Sequence, residues 1–190
     1  MLSDMSSPRV VVVGSANLDI VVPVPHHPMT GETVMGGDHA LVPGGKGANQ
    51  AVAASRQGAA VTFVGRVGSD DTGATLKASL EASGVDTSHL AVDAGAPSGI
   101  ALIGVNADGD NAIVVSPGAN AHVSSSDLDG ASAVLADAAV VLLQLEIPAE
   151  TVTNAALATG GTVVLNPAPA PSTPGALPVA LMDRVDELVP

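Results

Sequence analysis

The sequence contains no cysteine, tryptophan or tyrosine, and Phe63 is its only aromatic residue. Without cysteine, the chain can form neither disulfides nor thiolate metal sites. A core that lacks aromatic side chains must be built from Val, Ala, Leu and Ile, as expected of layered α/β proteins. The five histidines show no spacing typical of a metal site. We therefore predict an α/β protein with no metal held by this chain alone.

Basic residues are also scarce, with six Lys and Arg against nineteen Asp and Glu, a net charge of −13. Such a charge argues against nucleic acid or an anionic membrane as a partner. No apolar run approaches the roughly 20 residues of a membrane-spanning helix, and residues 1–8 lack the pattern of a signal peptide. We therefore predict a cytoplasmic protein, and 190 residues are enough for a single domain over 1–190.

The most distinctive stretch is the glycine-rich segment Pro43–Gln50. It runs into alanine-rich sequence that predicts a helix over 48–57, which Gly58 would end. A glycine loop that opens a helix offers free backbone N–H groups and a positive dipole end to a ligand oxygen. A tight turn without a ligand is the alternative, but the polar side chains of Lys46 and Asn49 favour a ligand. We expect the backbone of Gly45 to approach that ligand closely.

The segment matches neither common nucleotide loop. In a Walker loop the lysine is followed by Ser or Thr, whereas Lys46 is followed by Gly47. A dinucleotide fingerprint should follow the first strand directly, and Gly14–Asp19 does not contain one. The glycines therefore serve a different ligand.

The pattern of apolar residues predicts strands alternating with helices. Strands are predicted at 9–14, 20–22, 60–65, 91–92, 100–105, 112–115, 140–145 and 162–165, and helices at 48–57, 126–135, 149–159 and from a cap at Asp70 or Asp71 to 83. This alternation predicts a mostly parallel sheet with helices on both faces. Short strands at 20–22 and within 32–42 suggest a small sheet standing off the main body. A loop is predicted at 167–178.

Polar residues recur where predicted strands end. Asn17 and Asp19 follow the first strand, the glycine loop follows the small sheet, and Glu146 follows the strand at 140–145. Each alone has an ordinary explanation as a turn former, a helix cap or a solvated lysine. Together they would lie on one rim of the sheet, where ligands of such folds bind. Carboxylates beside Asn and Lys suit a neutral polyol, whose hydroxyls both donate and accept hydrogen bonds.

With these motifs, the chain resembles the ribokinase family of sugar kinases. The resemblance is carried by Gly44–Ala51 with its spacing through Gly58 to Gly68, and by Gly14–Asp19, Pro117–Asn120, Leu143–Glu146 and Leu165–Ala170. It covers 9–190 and implies a Rossmann-like three-layer α/β/α sheet with a small β lid at about 20–42 and 98–116. It also implies a homodimer formed through the lid.

The resemblance further implies ATP-dependent phosphorylation of D-ribose to ribose 5-phosphate, with Mg²⁺ accompanying ATP. It leaves open whether a monovalent cation such as K⁺ acts in the full-length protein. The residues that resemble the family's sugar-holding positions are Asn17, Leu18, Asp19, Gly45, Lys46, Gly47, Ala48, Asn49 and Glu146.

The sequence departs from the family pattern in one respect. It contains neither the second signature, with its catalytic aspartate, nor the Asn-x-x-Glu element of the magnesium and phosphate site. We therefore expect a chain truncated before the nucleotide-binding part, which carries the sugar-binding half and is inactive alone; its catalytic base is unknown. The alternatives are a kinase for another sugar or a nucleoside, and a non-catalytic sugar-binding fragment.

Overall fold

The computed structural model describes residues 7–171, 173 and 175–189. In chain order its strands are β1 (Arg9–Val13), β2 (Asn17–Pro23), β3 (Ala40–Gly44), β4 (Ala60–Gly68), β5 (Asp86–Asp93), β6 (Gly99–Val105), β7 (Asn111–Ser116), β8 (Val140–Leu143), β9 (Thr162–Leu165) and β10 (Glu187–Leu188). The α-helices are α1 (Lys46–Arg56), α2 (Asp71–Ala82), α3 (Ser125–Gly130), α4 (Ser132–Ala136), α5 (Ala149–Leu157) and α6 (Val179–Met182), and a 3₁₀ helix spans Gly118–His122.

The main sheet has six parallel strands in the order β10-β9-β8-β1-β4-β5. Its inner strand β1 explains the unbroken valine run, because alternate valines enter two different cores. Val11 and Val13 pack into the core beneath α3 to α6, and Val10 and Val12 into the core beneath α1 and α2. A parallel strand buried on both faces has no polar face to show in its sequence. The prediction of a parallel sheet between two helical layers is confirmed.

The second sheet is smaller, in the order β3-β2-β6-β7. β2 runs antiparallel to β3 and parallel to β6, and β6 runs antiparallel to β7. The chain enters this sheet from β1 through only three residues, 14–16, and leaves it from β3 through Gly45 into α1. The start of α1 therefore lies where the small sheet meets the main sheet.

Three predicted boundaries differ from the structure in ways that affect the site. β2 begins at Asn17 and not at 20, so Asn17 and Asp19 lie in a strand and not in a turn after β1. The helix predicted at 126–135 is two short helices, because Gly130 ends the first and Ala131 leaves the helical conformation. β8 ends at Leu143 and not at 145, and beyond it the side chain of Gln144 donates from Nε2 to the carbonyl of Val13 at 3.0 Å.

Other boundaries agree more closely. Asp70 is the N-cap of α2 and accepts from the backbone N–H of Gly73 at 2.7 Å. Gly58 and Gly84 follow α1 and α2 with positive φ, as helix-ending glycines do. The loop predicted at 167–178 includes residues 172 and 174, which lie outside the described residues; its described part contains no helix or strand. Within the described chain, no helix is both long and apolar enough to cross a membrane.

One part of the main sheet is incompletely covered. On the α1 side, Leu142 of β8 and Val164 of β9 are only half-buried and line a groove of about 410 Å³ beside Gln50 and Ala53 of α1. Parallel sheets are normally covered on both faces. Two residues that line this groove carry buried side-chain oxygens, Gln50 Oε1 and Asn166 Oδ1, that find no hydrogen-bond partner among the described residues.

Candidate functional site

A cleft of about 120 Å³ lies where the small sheet, the start of α1 and the end of β8 meet. It is lined by Asn17, Asp19, Gly45, Lys46, Asn49, Ala101, Ile103, Ile113, Val115 and Glu146. It is smaller than the groove beside α1, but it gathers two carboxylates, two amides and an amine. It is also below the roughly 300–1,000 Å³ of sites for drug-sized ligands. The cleft therefore suits a small polar molecule.

Three of the predicted site residues do not line this cleft. Leu18 lies between Asn17 and Asp19 in β2, so its side chain points to the opposite face of the small sheet, where it is buried. Gly47 and Ala48 are buried in the first turn of α1, where the N–H of Ala48 donates to the carbonyl of Ser15 at 2.9 Å. These residues pack around the cleft and do not face it.

Glu146 is held by two hydrogen bonds to the same oxygen. Its Oε2 accepts from the Ser15 hydroxyl at 2.6 Å and from the backbone N–H of Lys46 at 2.9 Å. Its other oxygen, Oε1, lies 4.0 Å from Lys46 Nζ. Because Lys46 is the first residue of α1, the helix dipole favours a carboxylate at this place. Glu146 thus keeps one oxygen beside the cleft while the other is fixed to the protein.

This arrangement changes the expected role of the glycine loop. The sequence predicts free N–H groups at the start of α1. In the structure those of Lys46, Gly47 and Ala48 donate to Glu146, to Ser15 Oγ and to the carbonyl of Ser15. A ligand in the cleft meets the Glu146 carboxylate in place of these N–H groups. Ser15, fully buried in the connection between β1 and β2, was missed by sequence reasoning. A single serine in a turn carries no signal of this role.

The glycines themselves are required by packing. Gly45 has φ +93°, and a Cβ there would come within 2.7 Å of the backbone nitrogen of Asn17 and 2.9 Å of Cα of Ala16. A Cβ on Gly47 would come within 2.6 Å of the backbone nitrogen of Ser15. Gly45 does line the cleft, but its closest approach is to the chain between β1 and β2. Both glycines let α1 begin against that connection.

Asp19 lies beside Glu146 and is half-buried. Burial raises the pKa of Asp19, the negative charge of Glu146 raises it further, and Lys46 opposes the increase. Gly44 of β3 lies directly opposite Asn17 of β2, and a Cβ on Gly44 would collide with the Asp19 carboxylate. A carboxyl with a raised pKa in a cleft is a common mark of a functional site.

Asn17 completes the polar wall. Its side chain is almost fully buried, and its Oδ1 accepts from Asn120 Nδ2 at 2.8 Å. Asn120 was also missed, because it is distant in sequence and lies outside the cleft. The opposite wall is aliphatic and comes from β6 and β7 of the small sheet.

The cleft therefore presents acceptors from Asp19 and Glu146, donors from Lys46 and Asn49, and an apolar wall. Hydroxyl groups can satisfy both kinds of partner, and the C–H faces of a small polyol fit the aliphatic side chains. In the part of the chain that the structure describes, no three His, Asp or Glu side chains lie close enough together to hold a metal ion.

Comparison with known protein families and sequences identifies carbohydrate kinases as relatives of this chain. The model of the pfkB family of carbohydrate kinases matches residues 7–186. A ribokinase from Haemophilus influenzae is 42% identical over 84% of the chain and 53% of its own length. A deoxyribokinase from Salmonella typhimurium is 37% identical over 85% of the chain and 54% of its own length.

The chain also resembles the structure of Arabidopsis thaliana ribokinase complexed with ribose and ATP. The TM-score is 0.81 at 34% identity, over 96% of this chain and 60% of that protein. The chain therefore spans about half the length of these curated relatives.

Proposed function

Since the chain belongs to the pfkB family of carbohydrate kinases, we propose that its cleft binds D-ribose and that the full-length protein phosphorylates the 5-hydroxyl of ribose with ATP. The observation that carries the proposal is the meeting of Asp19, Glu146 and Lys46 against an aliphatic wall in a cleft of about 120 Å³. Ribose is supported as the sugar because several relatives of this chain are named ribokinases. ATP as phosphoryl donor supports a cytoplasmic location.

The charged side chains of the cleft explain how it would bind a sugar. The ionised carboxylates of Asp19 and Glu146 accept hydrogen bonds from sugar hydroxyls, and Lys46 and Asn49 donate to hydroxyl oxygens. Hydrogen bonds to charged groups contribute about 1.5–3 kcal/mol each when desolvated. The aliphatic side chains from β6 and β7 exclude water from the opposite side. We propose that the small sheet, at about 20–42 and 98–116 in the sequence, is a lid over the sugar.

Ribose binding is tested by titration calorimetry of the protein with D-ribose. Glu146→Gln should weaken binding by about tenfold or more, because a neutral amide replaces a charged acceptor. Glu150→Gln is the matched control, since Glu150 is an exposed carboxylate at the start of α5 outside the cleft. Equal affinities for the two variants would contradict the proposed site.

A second substrate is favoured by one specific comparison. The relative from Salmonella typhimurium is named a deoxyribokinase, so 2-deoxy-D-ribose is the strongest competitor for ribose among other sugars or nucleosides. The two sugars differ by a single hydroxyl, and a site built to hydrogen-bond a hydroxyl rejects the analogue that lacks it. Titration with both sugars decides between them, and tighter binding of 2-deoxy-D-ribose would overturn the ribose assignment.

We assign only sugar binding to these 190 residues. ATP and Mg²⁺ belong to the proposed full reaction, but the described residues offer no cluster that fits a metal ion, so we derive no phosphoryl-transfer step from them. The chain covers only 53% and 54% of the length of two of its relatives, and the groove over Leu142 and Val164 supports further polypeptide covering this face in a full-length kinase. A coupled assay of ATP-dependent ribose phosphorylation separates kinase from sugar-binding fragment. Turnover by residues 1–190 alone would contradict this division.

We also propose a homodimer formed through the small sheet. On the face away from the cleft, Leu102 of β6 and Val114 of β7 lie opposite each other and are largely exposed, whereas Ile113 and Val115 line the cleft. Apolar side chains gathered on one surface are typical of protein interfaces. Pairing of two such sheets would bury them.

A further inference from the structure

We infer that Asn120 is a positioning residue that fixes the side-chain amide of Asn17, so that Asn17 offers N–H donors to the ligand. The inference rests on the proposed function in one respect, because it takes the ligand of the cleft to be a sugar. Asn120 lies in the 3₁₀ helix Gly118–His122, does not line the cleft and is 1% exposed. It therefore acts through Asn17 and does not touch the ligand.

The orientation of the Asn120 amide follows from its two bonds to one backbone residue. The N–H of Ala16 donates to Asn120 Oδ1 at 3.0 Å, and Asn120 Nδ2 donates to the carbonyl of Ala16 at 3.1 Å. A backbone N–H can only donate and a backbone carbonyl can only accept. Rotating the Asn120 amide by half a turn would break both bonds, so only one orientation is compatible with the fold.

That orientation determines the amide of Asn17 in turn. The second N–H of Asn120 Nδ2 donates to Asn17 Oδ1 at 2.8 Å. Reversing Asn17 would place two NH₂ groups against each other in a buried place, leaving donors without acceptors at a cost of about 1–3 kcal/mol. In the described structure Asn17 Nδ2 has no protein partner, and it is not among the buried atoms that lack one. Its N–H groups are therefore available to a ligand in the cleft that Asn17 lines.

Gly99 supplies independent support for this amide pair. It lies directly across from Asn17 in the register of β2 and β6. A Cβ on Gly99 would collide with both Asn120 Nδ2 and Asn17 Oδ1. The φ of Gly99 is not positive, so the glycine is required by space for the two amides and not by backbone conformation.

The fixed amide has a consequence for specificity. Asp19 and Glu146 require hydrogen-bond donors, whereas Asn17 requires an acceptor. A hydroxyl that reaches both Asn17 and Asp19 satisfies both, since it accepts from one and donates to the other. An ether oxygen in that place cannot donate to Asp19, and a hydrogen atom can do neither. Asn120 thus makes the cleft selective for a hydroxyl group.

The orientation is tested first without ligand, by hydrogen exchange of side-chain NH₂ groups in NMR spectra. Both protons of Asn120 should exchange slowly, those of Asn17 should exchange faster, and Asn17→Ala should release one proton of Asn120. Fast exchange of Asn120 beside a protected Asn17 would overturn the inference. Because this measurement needs no sugar, it decides the inference even if the protein does not bind ribose, in which case only the proposed function fails.

The action on binding is tested by calorimetry with D-ribose in a double-mutant cycle. Asn120→Ala and Gly99→Ala should each weaken ribose binding about tenfold, the loss of one neutral hydrogen bond. In an Asn17→Ala background neither change should weaken binding further, although both should still lower the melting temperature. Asn154→Ala is the control and should bind as the wild type does, because Asn154 is a half-buried asparagine of α5 that does not line the cleft. Equal losses in both backgrounds, or none in either, would overturn the positioning role.

Discussion

The cleft contains two carboxylates, those of Asp19 and Glu146, and their surroundings differ. Glu146 is anchored through one oxygen by Ser15 and by the start of α1. Asp19 makes no such hydrogen bond to any other described residue, and its pKa is raised by burial and by the charge of Glu146. The protein therefore stabilises Glu146 but holds Asp19 in a place where its charge is unfavourable. Such a residue is kept for binding at the expense of stability.

We predict that Asp19→Asn weakens ribose binding and stabilises the fold. A raised pKa means that the folded protein holds this proton more tightly than the unfolded chain does, so stability is lost as pH rises through the folded pKa. At neutral pH the uncharged amide of Asp19→Asn avoids the stability lost when Asp19 ionises. The melting temperature of the variant should therefore be higher than that of the wild type. Ribose affinity should fall about 10- to 100-fold, the loss of one charge-assisted hydrogen bond. Asp129→Asn, an exposed change on α3, should alter neither quantity; a less stable Asp19→Asn protein would contradict the argument.

The pH dependence of binding gives a second prediction. Ribose hydroxyls donate to ionised Asp19, so affinity should decrease as pH falls through its raised pKa. Lys46 opposes that increase in pKa, so Lys46→Met should move the loss of affinity to higher pH. The measurement is a series of ribose titrations from acidic to neutral pH. Lys77→Met, which removes an exposed cation paired with Glu81, is the control. An unchanged midpoint in Lys46→Met would show that another group controls binding.

At the scale of elements, α1 organises the site, and a glycine flanks it at each end. Gly45 is its N-cap, with φ +93°, and Gly58 follows its C-terminal end, with φ +90°. The two differ in surroundings. A Cβ on Gly45 would meet the backbone of Ala16 and Asn17, whereas a Cβ on Gly58 would have no described atom of another residue within 4 Å. The N-terminal end of α1 is packed against the chain, and there is space beside its C-terminal end.

We predict different costs for alanine at the two positions. Gly58→Ala should destabilise the protein by about 1 kcal/mol, the strain of an L-residue at positive φ. Gly45→Ala should cost about 3 kcal/mol or more, because the same strain is joined by a backbone collision. It should also lower ribose affinity, since the displaced α1 moves Lys46 and Glu146. Urea unfolding measures both stabilities, and equal values would mean that the connection between β1 and β2 yields easily.

At the scale of the whole molecule, a net charge of −13 coexists with exposed apolar side chains on the small sheet. Leu102 and Val114 lie directly opposite each other in β6 and β7, on the face away from the cleft, and are 47% and 66% exposed. Repulsion between like-charged molecules opposes non-specific association. A specific contact through this apolar face remains favourable because it removes these side chains from water.

The proposed dimer is tested by sedimentation velocity. Val114→Glu should shift the protein towards monomer, because a charge would have to be buried without a partner in the interface. Val92→Glu is matched in chemistry and exposure, 61%, but lies in β5 at the edge of the main sheet, and should leave the dimer intact. A wild-type protein that sediments as a monomer at all concentrations would contradict the dimer.

The sequence by itself determined the alternation of strands and helices, the double-sided burial of β1 and most of the polar set in the cleft. These features are local, because apolar periodicity, caps and glycine stops depend on residues close in the chain. Only the tertiary structure decided that Ser15 would hold Glu146, 131 residues away, and that Asn120 would hold Asn17, 103 residues away. Because β2 begins at Asn17, the alternation of side chains along the strand places the side chain of Leu18 on the face away from the cleft. Such pairings exist only once the sheets have closed, since no neighbour in sequence specifies which distant group will lie within hydrogen-bond distance.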